Sequence, residues 1–157
     1  MHTTRSRFLS IPALATIAVS MLGAFAAPAA AQDGMRIARA CVMQIQDATE
    51  EAVTSQHQVT RRTIQAIRNA AEEGAPNRVI RAIAENGLDR VHAIGVRNDS
   101  AIEELAGECV QRLRQLEADR SLINAVRIAA ARSDEHLEDS TRRSSRAIRG
   151  ALARALD

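Results

Sequence analysis

Aromatic residues are almost absent from this sequence, and none occurs after residue 25. The 157 residues include two Phe, no Trp and no Tyr, and the two are Phe8 and Phe25. Residues 32–157 therefore have no aromatic ring to fill a wide core or to stack on nucleic acid bases. Ala is the commonest apolar residue there, and it contributes little free energy on burial. This composition favours a thin helical bundle over a thick globular core.

Cysteine and proline are also scarce, and the motifs of several enzyme classes are missing. The only cysteines are Cys41 and Cys109, and Pro76 is the only proline after Pro28. The chain has no CxxC, no CxxCH and no Cys/His cluster, which removes the common zinc, redox and haem-attachment motifs. It has no Gly-rich phosphate loop and no defensible Ser/His/Asp arrangement. We therefore predict a protein that is not an enzyme and has no cofactor.

The first 31 residues have the pattern of a secretory signal peptide. Arg5 and Arg7 precede a mostly apolar stretch over residues 8–25, and Ala29-Ala30-Ala31 matches an A-x-A cleavage site. The alternative is an uncleaved membrane anchor, because the apolar stretch approaches the roughly 20 residues that span a bilayer. We predict cleavage and export to the periplasm or the medium, where disulfides persist.

Lysine is absent, so arginine supplies the positive charge. Of the 21 Arg, two lie in the predicted signal peptide, which leaves 19 against 19 Asp and Glu. The predicted mature chain is therefore neutral and lacks the electrostatic drive for nucleic acid binding.

Gly74-Ala75-Pro76 divides the next part of the chain into two stretches of helical periodicity, residues 34–73 and 77–116. Glycine is typical of a helix C-cap, and proline of a helix stop or first turn. The midpoint of Cys41 and Cys109 is residue 75, inside this break. If the chain folds back there, residue i lies opposite residue 150 − i and the two cysteines meet. We predict a domain over residues 32–118, an antiparallel helical hairpin closed by a Cys41–Cys109 disulfide. Two buried free thiols are the alternative.

The same register makes further predictions. Small residues are placed opposite each other at two points of close helix contact: Ser55 with Gly95, and Thr63 with Gly87. Opposite charges are paired at two flanking positions: Arg61 with Asp89, and Glu72 with Arg78. Asn98 falls on the apolar stripe opposite Ala52, where a buried polar residue can fix register. Alternatively, Ser100 and Glu103 form a capping box that starts a new helix. The sequence leaves both interpretations of Asn98 open.

Helical periodicity resumes in residues 119–157, after a turn at Asp119-Arg120-Ser121. A second candidate turn is Ser133-Asp134-Glu135. One or two helices follow, and we expect them to cover the hairpin as a third layer. In the alternative, this segment projects outward or pairs with another copy. The predicted fold is all-α, a coiled-coil-like hairpin extended to a three- to four-helix bundle.

Two groups of residues are candidate sites. Arg142, Arg146 and Arg149 share one helix face, which is typical of binding to anionic membranes or lipopolysaccharide, although a solvated helix face has the same pattern. In the hairpin register His57 lies beside His92, and Asp89 precedes His92 by three residues. Two His and one Asp could hold zinc or copper, whereas surface histidines without a ligand role are the alternative.

These observations predict an exported, non-enzymatic helical scaffold, adaptor or holdase-like module that binds a protein partner through helix surfaces. Homo-oligomers are compatible with the pattern. The competing functions are binding to an anionic membrane surface and binding of a metal ion by the bundle.

Overall fold

The fold consists of three long helices. A computed structural model describes residues 29–157, so residues 1–28 of the predicted signal peptide lie outside the described part. The helices are α1 (Ala29–Glu72), α2 (Asn77–Gln115) and α3 (Arg120–Leu156), and the part described contains no strand. The all-α prediction is confirmed. At about 1.5 Å per residue, each helix is roughly 55–65 Å long.

The helices form an up-down-up bundle in which each helix packs against both others. Cys41 of α1 and Cys109 of α2 are joined by a disulfide, with their Cα atoms 6.1 Å apart. The predicted fold-back about residue 75 is therefore confirmed. A single helix, α3, covers the hairpin as the predicted third layer. No helix of the described residues has an apolar stretch long enough to cross a membrane.

The α1–α2 turn has the glycine cap that the sequence indicates. Gly74 has a φ of +70°, in the left-handed region that glycine adopts at little cost. The backbone N–H of Ala75 donates to the carbonyl of Ala70 at 2.8 Å, and that of Gly74 donates to Ala71 at 3.0 Å. This pair of hydrogen bonds is a Schellman motif, which satisfies the last carbonyls of α1.

The α2–α3 turn has the same hydrogen bonds but no glycine. Ala118 donates to the carbonyl of Leu113 and Glu117 to that of Arg114, both at 3.0 Å. Glu117 takes the left-handed position with a φ of +51°, which costs a residue with a Cβ roughly 1–2 kcal/mol. Asp119 then caps α3 by accepting a 2.7 Å hydrogen bond from the backbone N–H of Ser121. The turn predicted at Asp119 is therefore the N-cap of α3.

Two candidate interruptions do not occur. α3 runs unbroken through Ser133, which is buried, so the second candidate turn was wrong. α2 runs unbroken through Asn98, whose amide donates to the carbonyl of Ile94 at 2.8 Å, within its own helix. Ser100 likewise donates to the carbonyl of Val96 instead of capping a new helix. Polar side chains that bond the preceding turn can sit inside a helix without ending it.

The apolar core is divided into two clusters. One surrounds the disulfide and includes Ile45, Ile102, Leu113 and Val126. The other lies toward the α1–α2 turn and includes Ile67, Ile80, Val91 and Ile148.

A polar layer lies between these two clusters. We define it by four residues: Gln56, Ser140, Thr141 and Ser144. The fully buried Gln56 donates through Nε2 to the hydroxyl of Thr141 at 2.8 Å, joining α1 to α3. Gln56 Oε1 and the hydroxyls of Ser140 and Ser144 are buried without a hydrogen-bond partner in the described part of the chain. Gln56 Nε2 also donates to the backbone carbonyl of Val91 on α2 at 3.5 Å, so this one amide links α1 to both other helices. The buried groups without a partner cost some stability.

Of the two close helix contacts that the hairpin register predicts, one is present in the structure. The position that a Gly87 Cβ would occupy is only 2.8 Å from Thr63 Cβ, so α1 and α2 touch at this point as predicted. Gly95 does not face Ser55. It faces Thr141 of α3 and the amide of Gln56, because the third helix approaches α2 on this side. Neither predicted charge pair is among the ion pairs formed by residues 29–157.

Candidate functional site

An open groove runs along the outer side of the hairpin, between α1 and α2 near the Gly74 turn. Its volume is about 680 Å³. We call it the basic groove, and its lining residues come from two helices: Arg62, Thr63, Ala66, Arg78, Val79, Ala82, Ile83, Asn86, Gly87 and Arg90. The close contact of Gly87 with Thr63 brings the two helix backbones together beneath it. The groove is therefore a shallow channel and not a cavity that encloses a small ligand.

The lining of the groove combines an apolar floor with arginine at the edges. On α2, Val79, Ile83 and Arg90 recur at helical spacing and so fall on one face. Val79 is 41% exposed, which leaves an apolar contact open in a groove that is otherwise floored by Ala66 and Ala82. Such a floor offers contact to an apolar side chain, while the guanidinium groups offer hydrogen bonds to carboxylates.

The arginines of the groove are not engaged by the protein itself. The described residues form ion pairs at Arg36 and Arg142 only. Arg62, Arg78 and Arg90 are exposed. No Asp or Glu is among the described residues that line the groove. Three unpaired guanidinium groups around one apolar channel attract a group of negative charge.

The bundle is polarised along its length, although residues 32–157 are neutral. The polar layer divides it into two halves. The half at the α1–α2 turn, residues 57–94 and 141–157, has 11 Arg against five Asp and Glu. The half at the disulfide, residues 32–56 and 95–140, has eight Arg against 14 Asp and Glu. The basic groove lies in the positive half.

Comparison with known proteins identifies no relative. Neither a family model, nor a curated protein sequence, nor a solved structure matches the chain. The binding properties of the groove therefore follow from its own residues.

The candidate metal ligands His57, Asp89 and His92 are not gathered into a ligand cluster in the part of the chain that the structure describes. Residues 29–157 contain no group of three or more His, Cys, Asp or Glu side chains placed to hold a metal ion. His57, Asp89 and His92 are all exposed. His92 instead lines a small groove of about 160 Å³ between α2 and α3. The hairpin register alone could not reveal this, because the register does not include α3.

The candidate membrane-binding arginines lie on the surface of the packed bundle. Arg142 pairs with Glu138 and Asp139 of its own helix, while Arg146 and Arg149 are exposed. The apolar side of this segment is not free, because Ile148 is fully buried and Leu152 packs against the same cluster. An interfacial helix inserts its apolar side into the membrane, so binding in that manner would require α3 to leave the bundle.

The small groove between α2 and α3 brings like charges together. Asp99 and Asp134 both line it, with Glu138 beside them. Burial raises the pKa of Asp99 above 3.8, and the charge of Asp134, a hydrogen bond with Asp134 and the charge of Glu103 raise it further. A raised carboxyl pKa means that folding penalises the ionised form.

Asp99→Asn is expected to stabilise the protein at neutral pH, because it removes this penalised charge. Since the folded pKa exceeds the unfolded one, the wild-type protein gains stability as pH falls from the raised pKa toward 3.8, whereas the variant does not. The advantage of Asp99→Asn should therefore be largest at pH 7 and fade below pH 3.8. Urea unfolding of both proteins across this range measures the difference.

Asp119→Asn is the matched control, since it changes the net charge equally and keeps an oxygen that can cap α3. The Ser121 backbone hydrogen bond lowers the pKa of Asp119 below 3.8, so this control should give no gain at pH 7. An equal gain in both variants would mean that net charge alone is responsible.

Sequence reasoning missed the basic groove. Its signal is present as Arg62, Arg78 and Arg90 flanking the turn, but the hairpin register pairs Arg78 with Glu72, a partner that would neutralise the groove. The packed side chains alone reveal which arginines share a surface and which acids lie on other faces.

Proposed function

We propose that this protein is an exported, non-enzymatic helical adaptor that binds an acidic segment of a partner protein in the basic groove. The observation that carries the proposal is the set of three unpaired arginines, Arg62, Arg78 and Arg90, around an apolar channel. The disulfide is typical of an oxidising, exported environment and agrees with such a location.

The shape of the groove favours a helix as the bound segment. A channel between two parallel ridges of side chains accepts an amphipathic helix, which buries apolar residues at positions i, i+3, i+4 and i+7. Val79, Ala82 and Ile83 would contact those residues, while carboxylates along the edges would receive hydrogen bonds from arginine. Charged pairs of this type increase association rate and selectivity more than affinity.

A specific adaptor agrees better with the surface than a holdase does. Holdase activity requires broad apolar surface, and the large exposed apolar residues of the described chain are distributed over all three helices. They are Met35, Met43, Val79, Val96 and Ile128. Single exposed apolar residues of this kind are normal on soluble proteins and do not form one large patch.

The proposal is tested by a photo-crosslinking amino acid at Ala82, which is exposed and lines the groove. In intact cells of the source, we expect a crosslink to a second, different protein, with the attached peptide acidic and helical in pattern. The triple variant Arg62→Gln, Arg78→Gln, Arg90→Gln should lose that crosslink at an unchanged protein level.

The matched control places the same crosslinker at Ala147, which is exposed on α3 in the same half of the bundle. A crosslink of equal strength from Ala147, or one that survives loss of the three arginines, would overturn the proposal. Anionic vesicles serve as a second probe. If the vesicles retain the protein through the same three arginines and no protein crosslink forms, the groove binds a membrane surface instead of a partner protein.

A further inference from the structure

The Cys41–Cys109 disulfide borders an open groove on the outer side of the hairpin, with a volume of about 320 Å³. We call it the disulfide groove. Beside the two cysteines, its lining includes Ala40, Gln44, Glu108 and Arg112. The described residues that line it all belong to α1 and α2, whereas the cluster that buries the cysteines includes Val126 of α3. The disulfide therefore has the core on one side and an open groove on the other.

The cover over the disulfide on the groove side is thin. The rim consists of exposed residues that are small or flexible: Ala40, Gln44, Glu108 and Arg112. Cys41 and Cys109 themselves are only 4% and 6% exposed, so a molecule reaches their sulfur atoms by entering the groove. The groove volume falls within the roughly 300–1,000 Å³ of small-molecule sites. This recess favours a small molecule over the surface of a folded protein.

Two opposite charges lie at the rim of the disulfide groove. Glu108 and Arg112 are four residues apart on α2, so their side chains share one face of the helix. The ion pairs within residues 29–157 involve Arg36 and Arg142 only, which leaves this glutamate and this arginine unpaired. A guanidinium group binds a carboxylate, and a carboxylate binds an ammonium group. The two charges therefore match the zwitterionic part of an amino acid.

We propose that the disulfide groove is a thiol–disulfide exchange site for a small zwitterionic aminothiol of the cysteine type. Its thiolate attacks one Sγ atom of the Cys41–Cys109 bond. A new S–S bond forms to that atom, the original bond breaks, and the other Sγ leaves as a thiolate that takes up a proton. A second aminothiol then attacks the small-molecule sulfur of the mixed disulfide and releases the remaining cysteine. Two aminothiols are thereby oxidised to one small disulfide, while the protein disulfide is reduced to two thiols.

The reverse reaction closes the hairpin, with the small disulfide as the oxidant. The direction of exchange depends on the ratio of thiol to disulfide around the protein, so the covalent closure of the bundle follows the redox state of its surroundings. The half of the bundle at the disulfide has eight Arg against 14 Asp and Glu. That negative charge repels a thiolate bearing only a carboxylate more strongly than one that also bears an ammonium group.

The first test is the rate at which free cysteine reduces the folded, purified exported protein, followed by alkylation of the released thiols. We expect a second-order rate constant within about 100-fold of that for the urea-unfolded protein. It should stay constant at urea concentrations well below the unfolding midpoint. Reduction that requires global unfolding would be slower by the unfolding equilibrium, about 10³–10⁸-fold, and would accelerate steeply with urea. Either of these results would overturn the inference.

Two variants locate the attack in the groove. Ala40→Leu adds bulk beside the disulfide and should slow reduction about tenfold by restricting access, whereas Ala147→Leu makes the same change at an exposed position of α3 and should not. Arg112→Gln should lower the rate constant about two- to fivefold, the effect of one exposed ion pair. Its control is Arg114→Gln, at an exposed position outside the groove lining. Equal effects in variant and control would contradict entry through the groove.

The class of thiol is tested with β-mercaptopropionate, which differs from cysteine only in lacking the ammonium group. Each rate constant is divided by its value for the urea-unfolded protein, which cancels the intrinsic reactivity of the thiol. The ratio of cysteine to β-mercaptopropionate should then fall about two- to fivefold in Glu108→Gln, and it should stay unchanged in Glu104→Gln, an exposed position one turn earlier. An unchanged ratio in Glu108→Gln would reject the aminothiol.

The exchange site is independent of the proposed adaptor function. The disulfide groove and the basic groove share no lining residue among those described. Failure of the exchange experiments leaves the adaptor intact, because the adaptor is judged by the crosslink from Ala82 to a different protein. Conversely, absence of that crosslink does not change the rate at which cysteine reduces the disulfide.

Discussion

Replacing Cys41 and Cys109 together with Ala is expected to lower the free energy of unfolding by about 4 kcal/mol. The disulfide joins residues 68 positions apart, and closing a loop of that length lowers the conformational entropy of the unfolded chain. Small domains have total stabilities of only about 5–15 kcal/mol. Loss of this bond should therefore bring the bundle near the threshold of unfolding.

The core around the cysteines makes this protein unusually dependent on the bond. Both cysteines are buried in the cluster that contains Ile45 and Leu113, but no aromatic residue contributes to that cluster. Ala38, Ala52 and Ala106 occupy buried positions there instead, and each removes little apolar surface from water. The disulfide supplies stability that larger side chains would otherwise provide.

Urea unfolding followed by circular dichroism measures the effect, with a midpoint expected to fall by roughly 2 M. Wild-type protein held in reductant is the control, because it breaks the bond without changing the volume of the core. Both samples should lose similar stability. A loss below about 1 kcal/mol in both would mean that the hairpin stays closed in the unfolded ensemble without the disulfide.

Much of the bundle was predictable from local signals in the sequence. Gly74 and Pro76 mark a turn through their backbone preferences, and the placement of two cysteines about residue 75 fixes the hairpin register. These signals are strong because each depends on a property of one residue type or on a simple symmetry. The Thr63–Gly87 contact followed from that register without knowledge of the third helix.

The contribution of α3 was not predictable in the same way. In the turn before α3, Glu117 adopts a left-handed conformation. The sequence does not indicate this conformation, since glycine is the usual residue at such a position. The sequence pattern does not distinguish Gln56 from the exposed polar residues of α1, yet Gln56 is fully buried and donates a hydrogen bond to Thr141. The position of His92 beside Asp134 likewise depends on how α3 is placed around the hairpin. Packing of a third element decides these contacts, and helical periodicity alone does not encode its rotation.

The basic groove illustrates the same limit for function. Arginines are frequent along the whole chain, and a count of charges gives zero for residues 32–157. The segregation into a positive and a negative half appears only when α1, α2 and α3 are packed side by side in the bundle. Function here depends on which arginines share a surface, and that is a property of the bundle.

Gly87→Ala is expected to destabilise the protein by about 1–2 kcal/mol, although alanine is the better helix former. The new Cβ would lie 2.8 Å from Thr63 Cβ and closer still to the methyl and hydroxyl groups of Thr63. Contacts of that length require α1 and α2 to move apart, and overpacking of this kind typically costs about 1–3 kcal/mol. The displacement would also alter the basic groove, which both residues line.

Gly107→Ala is the matched control, since Gly107 lies in the interior of the same helix and is exposed. Its added Cβ would meet no atom of the described residues within 4 Å, so this variant should gain about 0.5–1 kcal/mol from helix propensity. The same chemical change in α2 should therefore have opposite signs at the two positions. Thermal and urea unfolding of both variants give the two values.

A double-mutant cycle then locates the cause of the Gly87→Ala effect. Thr63→Gly removes the side chain that the new Cβ would strike, and it moves the small residue from α2 to α1. The pair Thr63→Gly and Gly87→Ala should recover most of the stability lost by Gly87→Ala, and the Ala82 crosslink should return with it. If the two changes are simply additive, α1 and α2 do not touch at this point. The groove would then lack the shallow floor on which an adaptor function depends.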